Sequence, residues 1–184
     1  ALPERSTKPV LRIFNSATRM QKMINDLLDF TRTRLGGSLP THRLPAQLGP
    51  LFRHTVEELA ALHPDARIDY ACEGDLSGNW DVGRLEQMMS NLIGNAIQHG
   101  DRAQPVSVMA RGAEDAVVIT VHNHGAPIPA ELIGQMFDPL TQGALQHRQS
   151  RGSDSGLGLG LYIRQEIAPK QGGDIDAQSV ESTG

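Results

Sequence analysis

Hydrophobic positions near the start of the chain recur in alternating steps of three and four: Val10, Ile13, Ala17, Met20, Ile24 and Leu27. That spacing is the a/d seam of a helix that packs along its neighbours. Leu11, Phe14 and Leu28 widen the stripe towards the seam of a four-helix bundle. Ser6 or Thr7 is placed to cap this helix, with Pro9 in its first turn, and Gly36 and Gly37 stop it after Leu35. A helix this apolar on one side needs partners, from another chain or from an upstream segment.

Beyond Gly37 the texture changes. The pattern predicts an extended piece over residues 39–44 and a helix from Pro50 to Leu62. "RIDYAC" alternates Ile68, Tyr70 and Cys72 as a half-buried strand. Asp81 is placed to cap a helix running to His99. "PVSVMA" and "AVVITVH" flank the turn "RGAED" as a hairpin. "IPAELIGQMF" reads as a short helix with Pro129 in its first turn. Residues 138–155 lack periodicity and predict a long loop, of the kind that serves as a lid. A helix then runs to Gln171, and "GGDIDAQSV" predicts a turn and a strand. Helices and strands mix without strict alternation. The expected fold is α+β, a two-layer sandwich with helices on one face of a mixed sheet, preceded by a long bundle-forming helix.

Composition narrows the function classes. Aromatics make up 4% of the chain, the formal charge is −4 and the isoelectric point is near 6.0, which argues against nucleic-acid binding. The single Cys72 rules out an internal disulfide and fits a reducing, cytoplasmic setting. No apolar run reaches the length of a membrane span, so no membrane contact is expected of this region. The chain begins at Ala1 without Met, and reads as part of something longer. The basic residues of the first helix, among them Arg5, Lys8, Arg12 and Arg19, fit either a solvated face or a docking surface for an acidic partner.

Two segments carry candidate chemistry. In "DVGRLEQMMSNLIGNAIQHG", Leu85, Met89, Leu92, Ile93 and Ala96 share one helix face, and Arg84, Asn91, Asn95 and Gln98 fall nearly opposite. An outward flank usually carries Lys and Glu, and Asn is a poor helix former. An amide carbonyl is a hard oxygen ligand suited to Mg²⁺. In "VHNHGAPIP", Asn123 sits where a strand gives way to a turn. Its amide can make the two-point match that Asn makes with adenine, although Asn and Gly also favour turns without any ligand. His122, His124 and His99 raise the question of zinc. No His-x-x-x-His or Cys-x-x-Cys spacing accompanies them, and no metal is assigned there.

The order of these features is more specific than any one of them. An Asn-x-x-x-Asn helix, an Asn-x-Gly turn, "MFDPL" around Phe137, a loose loop and "GLGLGLYI" follow one another. The series resembles the N, G1, F and G2 boxes of the ATP-binding domain of sensor histidine kinases, within the ATPase superfamily shared with gyrase, mismatch-repair ATPases and heat-shock chaperones. The resemblance covers most of residues 38–180, and the first helix is similar to the second helix of the family's dimerisation and phosphotransfer domain. It implies two regions, 1–37 and 38–184. It implies ATP and Mg²⁺ as ligands, homodimerisation through the N-terminal helix, and a response regulator as partner. By position, Asn95 would hold Mg²⁺, with Asn91 and His99 lining the same pocket. Asn123 and Gly125 would meet the adenine, and Phe137 would anchor the lid. Gly156, Gly158 and Gly160, with Leu157 and Leu159 between them, would present backbone N–H groups to the phosphates.

The sequence departs from the family pattern in places. Asn123 stands where Asp is usual, Pro127 where Gly is usual, and Gln98 and Gln142 where bases are common. Arg148 and Arg151 are candidates to contact the γ-phosphate instead. In related gyrase-like enzymes a Glu general base occupies the position of Asn91, and an amide cannot take that proton. Weak ATP hydrolysis follows, and the acceptor must bring its own nucleophile. No histidine here has the family's phosphoacceptor context, which places the acceptor helix upstream of Ala1. Two alternatives stay open: a nucleotide-driven clamp of the same superfamily, against which Asn91 and the bundle helix argue, and a degenerate module that binds a partner without ATP, which the altered turn at Asn123 keeps open.

Overall fold

The computed structural model describes residues 4–35, 37, 39–138 and 159–180. Helix α1 (Glu4–Arg34) is followed by strand β1 (Leu44–Gln47), helix α2 (Leu48–Leu62), strands β2 (Ile68–Glu73) and β3 (Ser77–Trp80), and helix α3 (Val82–His99). Strands β4 (Val106–Gly112) and β5 (Val117–His122), the short helix α4 (Ala130–Ile133) and helix α5 (Gly160–Gln171) complete the order. The fold is the expected α+β sandwich with its preceding long helix.

Three strands form a mixed sheet in the order β2-β4-β5, and β1 pairs with β3 as a separate antiparallel ribbon. Strand β4 pairs in parallel with β2 and antiparallel with β5. Parallel neighbours need a crossover connection, and β3 with α3 supplies it. Along β4 the side chains alternate, with Val106, Val108 and Ala110 buried. They face Phe52 and Val56 of α2, Leu85, Met89 and Ile93 of α3, and Ile163 and Ile167 of α5 in one core. The opposite face of the sheet, with Asp69, Ser107 and Thr120, is exposed. That one-sided burial explains the period-two pattern of the hairpin.

Asp81 ties three elements together. Its Oδ1 accepts from Arg84 N at 3.1 Å and caps α3, and its Oδ2 accepts from His42 N at 2.7 Å in the segment after α1. Its own N–H donates to Gln171 Oε1 of α5 at 3.1 Å. The expected cap is present and also anchors the linker.

Several expectations need correction. Helix α1 begins at Glu4, so Pro9 lies inside it rather than in its first turn. Strand β1 starts at Leu44, where the extended piece was expected to end, and α2 begins two residues before Pro50. Cys72 is exposed rather than half-buried. Residues 174–180 form no strand. Ile175, Ala177 and Ser179 alternate inward as a strand would, but the segment joins no ladder, and Ser179 Oγ instead accepts from Ile128 N at 2.8 Å. Alternation supplies a face, whereas a strand also needs a backbone partner. The loop expected over 138–155 lies, apart from Asp138, outside the described residues.

Candidate nucleotide site

The C-terminal end of α3 meets the turn after β5. Asp101 N donates to His124 O at 2.6 Å, and Asn123 Nδ2 donates to the same carbonyl at 3.3 Å. The two backbones approach closely enough that a side chain on either glycine would be tight against the other segment. A Cβ on Gly100 would lie 3.3 Å from Asn123 Cβ and 3.4 Å from His124 O, and one on Gly125 would lie 3.1 Å from His99 O. This clasp sets Asn123 and Gly125 beside His99, joining residues that are more than twenty positions apart in sequence.

Asn95, one helical turn before His99, is half-buried, as are Asn123 and Phe137. His99 is exposed at the rim, and partial desolvation holds its pKa below the ordinary histidine value. The rings of His122 and His124 meet edge-on, with centroids 4.8 Å apart. Among the described residues no group of three His, Cys, Asp or Glu side chains could hold a metal ion. Of the glycine segment, Gly160 starts α5 and Leu159 is buried before it. Gly156, Leu157, Gly158, Arg148 and Arg151 lie outside the described residues.

Asn91 does not face solvent. It is 3% exposed and lines a groove of about 860 Å³ between α1 and α3, together with Asp26, Asp29, Arg84, Gln87 and Ser90. Helix α1 meets the N-terminal part of this flank of α3 at Arg84 and Gln87. Asp29 accepts from Arg84 Nη1 at 2.6 Å and from Gln87 Nε2 at 3.2 Å. Cover by α1 accounts for a neutral amide at Asn91, whereas Asn95 and Gln98, further along the flank, are half-buried and exposed respectively and do not line this groove.

Sequence reasoning missed Arg164, which is 1% exposed in α5. Its Nε and Nη1 have no hydrogen-bond partner. The signal in the sequence is an arginine that interrupts the apolar residues of "LYIRQEI".

Residues 80–184 match the family of histidine kinase-, DNA gyrase B- and HSP90-like ATPases. The chain belongs to this family. Its relatives place it with the ATP-binding domains of sensor histidine kinases. It is 29% identical over 172 residues to the bacteriophytochrome of Pseudomonas aeruginosa, covering 94% of this chain and 23% of that protein. It is 31% identical over 181 residues to the signal transduction histidine-protein kinase AfsQ2 of Streptomyces coelicolor, covering 96% of this chain and 31% of the relative. The chain thus spans less than a third of either protein. Among solved structures, full-length ShkA in complex with AMPPNP shares the fold, with a TM-score of 0.70 at 23% identity, over 97% of this chain and 38% of that one. The nucleotide-free catalytic domain of the histidine kinase ThkA matches with a TM-score of 0.57 at 25% identity, over 70% of this chain and 81% of its own.

Proposed function

We propose that this chain is the ATP-binding catalytic portion of a sensor histidine kinase, in which residues 38–184 hold Mg·ATP and residues 1–37 are the second helix of the dimerisation and phosphotransfer domain. The observation that carries the reading is the clasp at Asp101 and His124, which gathers the end of the Asn91–Asn95 helix and the Asn123–Gly125 turn into one cradle. The donor set fits the ligand. Asn123 offers an acceptor and a donor to adenine, Gly125 lets the turn close on the end of α3, and Asn95 offers a hard oxygen to Mg²⁺.

In this reading the γ-phosphate passes to a histidine on a bundle helix that this chain does not contain, and from there to an aspartate of a response regulator. The attacking imidazole nitrogen forms the new P–N bond as the bond to the β-phosphate oxygen breaks, and ADP leaves. Asn91 takes no proton in this step. An imidazole carries its own lone pair and needs no strong base. The domain works in the cytoplasm, as a homodimer through α1.

Titration with a non-hydrolysable ATP analogue tests the proposal. The chain should bind it saturably with Mg²⁺, and Asn95→Ala should weaken that binding about tenfold or more. Absence of saturable binding by the parent chain would favour the degenerate module instead.

A further inference from the structure

The first turn of α5 has no side-chain cap, so the N–H groups at its start lack that partner. Side chains on a helix lean towards its N-terminus, and Arg164 therefore lies over the turn of Gly160. The contact is close. A Cβ on Gly160 would sit 3.0 Å from Arg164 Nη2, so the absence of a side chain at Gly160 leaves room for the guanidinium. Two positive features, a half-exposed helix N-terminus and a buried arginine, thus converge. Like charges converge this way where an anion completes the arrangement. Two guanidinium nitrogens stand without partners to receive it. Burial pushes the Arg164 pKa down to about 9, and the charge of Asp26 on α1 opposes that fall. Asp26 also lines the groove that Asn91 lines.

We propose that Arg164 is a phosphate ligand: with a nucleoside triphosphate bound, its guanidinium and the N-terminus of α5 take the terminal phosphate, and without that phosphate Asp26 of α1 is its counter-ion. The proposal rests on the ATP-binding reading and adds a residue and a competitor to it. It makes the position of α1 and the presence of the terminal phosphate alternatives, so each weakens the other by the same factor.

The test measures the affinity of the intact chain for a non-hydrolysable ATP analogue, ADP and inorganic phosphate, each with Mg²⁺ at fixed ionic strength. Arg164→Met should weaken the analogue about 10- to 100-fold, as expected for lost charge-assisted hydrogen bonds, and leave ADP within about threefold. Asp26→Asn should tighten the analogue about fivefold relative to ADP. A folded Arg164→Met chain that keeps the parent's ratio of the two affinities overturns the proposal. If Arg164→Met loses ADP as well and melts early, Asp26→Asn decides, and an unchanged ratio there overturns it. Phosphate binding that depends on Arg164 while the ratio stays fixed assigns the site to free phosphate and rejects the nucleotide assignment. A parent chain that binds ADP and the analogue poorly or not at all refutes the ATP reading itself, a result distinct from these.

Discussion

His99 carries the clearest pH signature of any single residue in the candidate pocket. Desolvation lowers its pKa from the ordinary 6.5, so between the two values the unfolded chain binds more protons than the folded one. The folded state is therefore favoured at neutral pH, and that contribution is lost as the pH falls below about 6.5. Urea midpoints measured from about pH 8 to about pH 5 should drop on the acid side, and His99→Gln should flatten the drop. Superimposable curves for parent and variant would assign the loss to other groups. At this scale the sequence was informative about residues whose role is local. Asp81 could be read as a cap because capping depends on the next three residues. Asn91 could not be read as buried. Periodicity states which residues share a flank, and it is silent about what that flank meets. The same limit hid Arg164, whose surroundings come from α1, well over a hundred positions away.

Among elements, the seating of α1 on the ATPase-family domain is the contact with most at stake. Asp29 is buried, and Arg84, its partner, is mostly so, with Gln87 bonded to both. Phe30 meets Tyr162 of α5 edge-on at 5.7 Å, and Tyr162 Oη donates to Thr33 Oγ1 at 3.3 Å. Removing one member of such a pair leaves the other's charge partly buried and unpaired. Asp29→Ala should cost about 2 kcal/mol in chemical denaturation and should raise amide exchange along the C-terminal half of α1. A variant with parental stability and unchanged exchange would mean that the ion pair does not hold the helix. Helices and the hairpin were legible because their periods are long or their turn is sharp. Strand β3 was not, since "SGNW" has two poor strand formers and owes its place to pairing with β1. Residues 174–180 show the converse, a strand pattern without a ladder. Pairing is a property of two segments, and local composition describes only one.

At the scale of the whole molecule, α1 presents two sides with different fates. One side holds Asp26, Asp29 and Phe30 against α3 and α5. The other keeps Met20, Ile24 and Leu27 exposed at 58%, 54% and 50%. These three belong to the heptad series in the sequence, and the fold of a single chain does not consume them. A row of large apolar side chains along one helix is a docking surface. Asp26 and Asp29 of the same helix are buried on its other side, so the seam can join a second copy while these two stay engaged with the core. Each Leu buried in such a seam contributes about 2 kcal/mol, and a Glu in its place adds the desolvation of a charge. Light scattering across a concentration series should therefore report self-association of the chain, and Leu27→Glu should shift it to monomer without moving the melting transition of the domain that follows α1. A parent that stays monomeric at every accessible concentration would mean that α1 alone is insufficient, and that the seam requires the other helix of the bundle. Dimerisation by this side would leave the charge of Asp26 acting on Arg164 in each copy, so loss of self-association in Leu27→Glu should leave the ratio of triphosphate to diphosphate affinity unchanged.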